Sequence, residues 1–340
     1  MKKIVIAIFL TILISFLGIR YTSIPSKNFL SVVAILKNEK PYIKEWIEYH
    51  LMQGVEHFYL CDNDSTDGIK EYLQPYIDKN IITYIPQPGI NQQKSCYEKV
   101  VNQYKHKTDW LAIIDLDEYL VPLKENTIAK FLEEFEYASE VSLHWMNYGD
   151  NGAFSRKDNL ITEFFTAHSK TLNHTVKSIV RPNKVIDFEG FGSNHYVKVE
   201  GKSVNEYHKP VNYMLNYNIS GDKARVNHYI TKTFAEFHHK KNRGHPEGTS
   251  INYTYYFYHN DNEVKNDTTM LRFLPKLKKR MSKSLLQDVS VPKTINTANS
   301  FDEFYFSKEE ASQILGYEVL EKMKYYDVEK TYKNKKPRYN

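Results

Sequence analysis

Between Phe29 and Asp115 the chain alternates short apolar runs with longer segments whose apolar residues recur every three or four positions. "FLSVVAILK" is short, apolar and β-branched, which predicts a buried strand. In "NEKPYIKEWIEYHLMQG" the residues Ile43, Trp46, Ile47, His50 and Leu51 fall at helical spacing, Pro41 suits a first turn and Gly54 closes the helix. "VEHFYLC" predicts a second strand, "DNDSTDG" a polar turn, and the stretch from about Ile69 to Ile77 a helix. "IITYIP", "NQQKSCYEKVVNQYK" and "WLAIID" then predict strand, helix and strand. Such alternation implies a parallel, doubly wound α/β sheet with right-handed crossovers.

Ligands of such sheets sit beyond the carboxyl ends of the strands. Three polar clusters fall there: Lys37 to Glu39, Asp62 to Asp67, and Asp115 to Glu118. In an extended Asp115-Leu116-Asp117 the two acids share one side while Leu116 enters the core, and Glu118 points away from the pair to a structural position. Two close carboxylates repel, and a bound divalent cation relieves the repulsion; hard oxygen ligands suit magnesium or manganese. A bare D-x-D pattern is also compatible with a strand cap and a solvated turn, so its place on the sheet carries the argument. In "CDNDSTDG", Asp62 and Asp64 can accept hydrogen bonds from a nucleoside, while Ser65, Thr66 and Asp67 suit a helix cap.

Beyond Pro122 the pattern weakens. "TIAKFLEEFEYA" predicts a helix and "EVSLHWMNYG" a strand; Thr233 and Glu236 form a capping box ahead of Phe234 and Phe237. "LRFLPKLKKRMSK" and "KEEASQILGYEVLEKMKYY" read as helical. The composition, 41% hydrophobic and 14% aromatic in 340 residues, is too apolar for a disordered chain. The net charge of +5 is modest, and its C-terminal basic runs read as a solvated face and tail, with no nucleic-acid module beside them. Cys61 and Cys96 are too few for a disulfide framework, although one bridge between them stays open. From Ile4 to Ile19 no charge interrupts the run until Arg20, and no small-residue cleavage site follows, which predicts an uncleaved, single-pass signal anchor. Lys2 and Lys3 favour a cytoplasmic N-terminus, which places the remainder in a lumen of Golgi type in a eukaryote; in a bacterium an inner-membrane-associated domain is expected instead. Sequons occur at Asn63, Asn173, Asn218, Asn252 and Asn266, and Asn63, inside the second acidic cluster, is expected to be unused.

The ordered set "LKNE", "IKEWIEYHLMQGVEHFYLCDNDSTD", "DWLAIIDLDEYLVP", "KSIVRP" and "VNHYITKTFAEFHHKKNRG", from Ser31 to Gly244, resembles glycosyltransferase family 92 and related family 2-like enzymes. The resemblance implies a GT-A fold, Rossmann-like with a mostly parallel sheet flanked by helices, over residues 29–260, after an anchor and stem at 1–28 and before a helical extension at 261–340. It implies an inverting, metal-dependent transfer from a nucleotide sugar, a UDP-sugar foremost, to a glycan acceptor, with galactose one candidate sugar. Asp117 is then the direct ligand of Mn²⁺ or Mg²⁺, Asp115 assists through the ribose or the metal's water shell, and His228 completes the metal site. Asp62 and Asp64 contact the nucleoside, Lys37 and Glu39 line the same pocket, and Lys232, Lys240 and Arg243 offset phosphate charge. His144, Trp145 and Asp150 stand where an acceptor pocket begins, and Lys177, Arg181, Glu189 and His195 are further polar candidates. The general base is sought among Asp150, Glu189 and His195, with Asp150 first. Two other classes share some of these features: a metal-dependent phosphodiesterase or other hydrolase, and a non-catalytic sugar-binding membrane protein.

Overall fold

The computed structural model describes residues 27–289 apart from 154, 158, 189–194 and 245–252. Its first part follows the alternation: β1 (Asn28–Leu36), α1 (Lys40–Met52), β2 (His57–Asp62), α2 (Ile69–Asp78), β3 (Ile82–Pro86), α3 (Gln93–Tyr104) and β4 (Thr108–Ile113). Next come β5 (Glu118–Pro122), α4 (Ile128–Leu132), β6 (Glu140–Asn147), α5 (Ile161–Phe164) and β7 (Val176–Val180). Three short strands follow, β8 (Val185–Asp187), β9 (Lys198–Val199) and β10 (Ser203–Asn205). The described chain ends with β11 (Ala224–His228), α6 (Phe234–Arg243), α7 (Tyr253–His259) and α8 (Leu274–Met281). The helix expected in "TIAKFLEEFEYA" is shorter than its pattern, because α4 tightens into a 3-10 turn over Glu133–Phe135 once Phe131, Leu132 and Phe135 are buried.

Nine strands form one sheet in the order β3-β2-β1-β4-β7-β6-β11-β5, with β10 beside β6. The first four are parallel; β7 joins antiparallel to both β4 and β6, β11 runs parallel to β6, and β5 closes antiparallel to β11. The result is the mixed, mostly parallel sheet flanked by helices expected of the α/β class. Both faces of the central strand are buried, with Leu30, Val32, Ala34 and Leu36 in one cluster and Val33 and Ile35 in another, the period of two that a covered strand requires. After residue 260 the chain stays on the same body, since Met270, Phe273, Leu277 and Leu286 join the larger core cluster. The apolar run Ile4–Ile19, with the anchor expected from it, and the helix expected in "KEEASQILGYEVLEKMKYY" lie outside the described residues. Among the described residues no helix is long and apolar enough to cross a membrane.

Helix α1 is the main brace of this sheet. Trp46 Nε1 donates to the Glu118 carbonyl at 2.9 Å and Tyr49 OH to the Leu120 carbonyl at 3.0 Å. His50 donates from Nδ1 to the Trp46 carbonyl at 2.8 Å, which leaves Nε2 to accept from Leu120 N at 3.3 Å. Burial pushes the His50 pKa down to about 3, so the ring stays neutral and keeps that acceptor. The apolar face of α1 thereby sets the position of β5 immediately after Glu118. At the end of this helix Gly54 has φ +92, and a Cβ there would stand 2.5 Å from the Ala129 Cβ, so both backbone and space demand glycine.

The bridge left open by the sequence is present: Cys61, at the end of β2, is bonded to Cys96 on α3, 35 residues away. Asn63 is buried and its amide donates to the Gln87 and Gly89 carbonyls at 2.9 and 2.6 Å, in keeping with an unused sequon. Closing a 35-residue loop restrains the unfolded chain, so Cys61→Ala/Cys96→Ala is expected to cost about 3–4 kcal/mol in urea denaturation with little change in native circular dichroism.

Candidate active site

The acidic stretch is a turn and not a strand end. β4 stops at Ile113, and Glu118 N donates back to the Asp115 carbonyl at 3.1 Å. The alternation that sent Glu118 away from the pair therefore does not apply, and its side chain folds back, with Oε2 accepting from Asp115 N at 2.8 Å. Leu116 enters the core as expected, and all three acids face one region.

Two lysines from different elements meet them. β7 runs antiparallel to β4 with Ala112 opposite Ile179, so Lys177, two residues earlier on β7, comes level with the end of β4. Its Nζ lies 2.6 Å from Asp115 Oδ2 and 3.3 Å from Glu118 Oε2. Lys240, on α6, donates to Asp117 Oδ2 at 2.5 Å and to the Ile230 carbonyl at 3.1 Å. The antiparallel register of β11 on β5 sets His228 opposite Glu118, with Nε2 3.6 Å from Asp117 Oδ1 and 4.0 Å from Glu118 Oε1. Trp145 on β6 closes the group, its ring centroid 4.2 Å from that of His228 and 4.8 Å from that of His195.

Burial alone would raise every carboxylate here, and the lysines decide which ones it does. Burial is the largest influence on Asp115, but the charge and hydrogen bond of Lys177 together overcome it and the pKa is lowered; for Asp117 burial is overcome by Lys240 together with the His228 hydrogen bond and Lys232, to well below the ordinary range. Glu118 is raised to about 8 by burial, which Lys177 only partly offsets and the two neighbouring aspartates reinforce. Burial lowers the His228 pKa, so the imidazole is neutral, and it holds His195 down to about 3 with the help of the Lys177 charge.

Next to this group a cavity of about 250 Å³ lies between the loop after β1 and the start of α6. Glu39, Tyr42, Lys232, Lys240 and Arg243 line it together with Asn38. Lys232 takes φ +52 and is buried, with Nζ 4.6 Å from the Tyr42 ring centroid; burial lowers its pKa. Arg243 Nη2 pairs with Glu39 Oε1 at 2.5 Å, and its Nη1 donates to the Lys37 carbonyl at 2.7 Å. The N-terminus of α6 opens near the cavity, capped as predicted: Thr233 Oγ1 accepts from Glu236 N at 3.3 Å and Glu236 Oε2 accepts from Thr233 N at 3.2 Å.

Of the residues singled out by sequence, the structure brings together Asp115, Asp117, His228, Lys177, His195 and Trp145, and joins them through Lys240 to Lys232, Glu39 and Arg243. Others stand differently. Asp150 is saturated: Tyr256 OH and Asn260 Nδ2 donate to Oδ2 at 2.5 and 2.9 Å, and Gly152 N and Asn262 Nδ2 to Oδ1 at 2.7 and 2.8 Å. It ties two loops together, which removes the ground for placing it first as a base. Asp62 accepts from Tyr84 OH and from Ser65 N, and Asp64 Oδ2 from Gly89 N at 2.9 Å, so both hold loops while Thr66 and Asp67 face the cavity. Lys37 contributes its carbonyl, His144 Nε2 donates to the Asn216 carbonyl at 3.0 Å, and the Arg181 guanidinium packs 4.1 Å from the Trp110 ring centroid. Glu189 lies outside the described residues. Sequence reasoning missed Tyr42, the turn-back of Glu118, and Arg156, whose guanidinium holds Glu236 at 2.9–3.1 Å. A lone arginine in an irregular stretch gave no signal.

Among the described residues no group of three or more His, Cys, Asp or Glu is gathered as a ready metal centre. The donor chemistry nevertheless fits a divalent cation. Asp117 Oδ1, the neutral His228 imidazole and Glu118 Oε1, a buried oxygen without a hydrogen-bond partner, are neighbours.

The sequence model of glycosyltransferase family 92 matches residues 28–257. A family 92 protein of Arabidopsis thaliana is 27% identical over 206 residues, covering 54% of this chain and 35% of that protein. One of Ricinus communis is 26% identical over 221 residues, covering 61% and 36%. The chain spans about a third of the length of the curated relatives it matches. Among solved structures, S. aureus TarS 1-349 is similar over 45% of this chain and 47% of its own, with 17% identity and a TM-score of 0.31.

The buried Arg156–Glu236 pair, 2.9 Å apart, holds the cap of the helix that borders the cavity. Arg156→Met would strand a buried carboxylate and is expected to cost about 3–5 kcal/mol in urea denaturation, with much of the loss recovered in Arg156→Met/Glu236→Gln. Burial would raise Glu236, but Arg156 outweighs it and holds the folded pKa below its ordinary 4.5. The pair's contribution is therefore complete above pH 4.5 and is lost as pH falls through the lower folded value, so wild type is expected to show an acid loss of stability that Arg156→Met/Glu236→Gln lacks.

Proposed function

The chain belongs to glycosyltransferase family 92, and from that premise we propose that it moves a sugar from a nucleotide-sugar donor, a UDP-sugar foremost, to a glycan acceptor with inversion at the anomeric carbon. The observation that carries this reading is the cavity lined by Lys232, Lys240 and Arg243 beside the Asp115–Glu118 turn. A diphosphate needs several positive charges at once, and few other small ligands do. The N-terminus of α6, the positive end of its dipole, opens near the same space.

Lys232 is the least committed of the three cavity cations: among the described residues its ammonium forms neither a hydrogen bond nor an ion pair, and it sits buried against Tyr42. A phosphate oxygen would complete it. Arg243, fixed by Glu39 and the Lys37 carbonyl, offers its remaining edge from a set position. Asp117 and His228, with the orphaned oxygen of Glu118, would hold a divalent cation, which when bound offsets charge on the departing nucleotide diphosphate. Lys177 keeps Asp115 ionised and oriented beside that place.

In the transfer, the acceptor oxygen bonds to the anomeric carbon as the bond from that carbon to the diphosphate oxygen breaks, and the acceptor hydroxyl gives up its proton. Of the two described proton acceptors considered from sequence, Asp150 and His195, His195 is the one with a free position for the task. Its Nδ1 donates to the Val176 carbonyl at 3.2 Å, which leaves Nε2 with a lone pair. Burial and the Lys177 charge hold its pKa to about 3, so the ring stays unprotonated at neutral pH and can accept a proton only as the acceptor hydroxyl acidifies during transfer.

Asp117→Ala is expected to abolish transfer in a metal-supplemented panel of UDP-sugars while leaving the circular dichroism spectrum unchanged; full activity in that variant would overturn the reading. Lys232→Ala is expected to weaken UDP binding about tenfold or more, about 1.4 kcal/mol, measured by thermal stabilisation against UDP concentration.

A further inference from the structure

Away from the charged cavity, the segment 213–217 presents aromatic rings to water. Tyr213 is 55% exposed and Tyr217 72%. The segment is tied at its middle to the chain that enters β7 and bends on either side of that tie: Leu215 bridges Thr175, Val176 N donates to the Met214 carbonyl at 3.1 Å, and Asn216 N donates to the His174 carbonyl at 2.8 Å. Asn216 is buried and its carbonyl takes the His144 hydrogen bond, so the two exposed tyrosines flank an anchored centre. The Tyr217 ring lies 4.6 Å from exposed His174, and the Tyr213 ring 6.4 Å from half-buried Tyr196.

Two chain connections bring this surface close to the candidate active site, and Trp145 N donates to the Thr175 carbonyl at 3.1 Å. Tyr196 follows His195, whose ring meets Trp145. Thr175 stands only two residues, about 7 Å of strand, before Lys177, which holds Asp115. The stretch from Pro210 to Ser220, "PVNYMLNYNIS", holds no Asp, Glu, Lys or Arg. An anionic polymer or a phosphate would find no counter-charge on it. A saccharide ring offers one face of C–H groups and a rim of hydroxyls, which a tyrosine ring with its phenolic oxygen matches on both counts.

We infer that Tyr196, Tyr213 and Tyr217, with His174, form a stacking platform for a neutral oligosaccharide acceptor and take sugar units beyond the one that reacts. The inference rests on the glycosyl-transfer reading above and adds where the acceptor lies and what kind of glycan it is.

The test uses protein made in a bacterial host, so that the sequons at Asn173 and Asn218 beside the platform stay bare. Cellotetraose, chitotetraose, maltotetraose and lacto-N-tetraose are titrated against wild type, Tyr213→Ala/Tyr217→Ala and Tyr213→Phe/Tyr217→Phe, with binding followed by saturation-transfer NMR and tyrosine fluorescence. At least one tetrasaccharide is expected to bind wild type, to bind the alanine variant tenfold or more weakly, and to bind the phenylalanine variant within a few-fold of wild type. Thermal stabilisation by UDP is expected to be equal in all three proteins. No binding by any of the four sugars, or undiminished binding by the alanine variant, overturns the platform; self-association of wild type that the alanine variant loses overturns it in favour of a protein-binding surface. Absence of UDP stabilisation in wild type is a separate outcome and counts against the donor cavity.

Discussion

Three carboxylates on one tight turn, Asp115, Asp117 and Glu118, are the constraint around which this molecule is arranged. They face one region with little water to screen them, and they coexist because Lys177 and Lys240 reach in from β7 and α6. Removing a charge from water costs several kcal/mol even after the protein relaxes, so each lysine has to arrive with good geometry. The antiparallel insertion of β7 beside β4 delivers Lys177, and the end of β11 turning into α6 delivers Lys240. Where the lysines fall short, the proton supplies the balance: Glu118 is raised to about 8 by burial and its two acidic neighbours.

The supports of this turn reach far into the fold. The side chains of Trp46, Tyr49 and His50 on α1 hydrogen-bond the main chain of β5 at Glu118 and Leu120, so the helix after β1 fixes the strand that leaves the acidic turn. At the other end, Glu236 caps α6 and is held by Arg156, which keeps the helix bearing Lys240 and Arg243 in register with the cavity. Trp46 meets only the main chain of Glu118 and Arg156 acts through the Glu236 cap, yet each sets the position of a charged side chain at the site.

Much of this was legible in the sequence, and the limits have physical causes. The βα alternation to Ile113, the placing of polar clusters at strand ends and the Thr233–Glu236 cap all follow from local periodicity and chain chemistry, and the structure has them. The orientation of Glu118 was misread because the strand rule was carried one residue too far: the chain leaves extended geometry after Ile113, and in a tight turn alternation no longer governs which way a side chain points. The hydrogen bonding of Asp150 is hidden for another reason: three of its four donors, Tyr256, Asn260 and Asn262, stand 106 to 112 positions away, and nothing near it in sequence announces them. Lys177 was visible as a polar candidate, but its part became clear only from the antiparallel register of β7, a long-range pairing that a single strand pattern does not encode.

The pairing of Lys240 with Asp117 links the two halves of the site. Lys240 and Arg243 are three residues apart on α6, so they share a helix face, and that face borders the cavity. An anion that drew the Lys240 ammonium toward the cavity would leave Asp117 buried without its partner, a state that costs several kcal/mol unless another positive charge takes its place. His228 cannot take that role at neutral pH, because burial keeps its imidazole uncharged. The charge balance therefore favours an anion and a cation arriving together over either arriving alone, and a nucleotide diphosphate accompanied by a divalent ion meets that demand in one step.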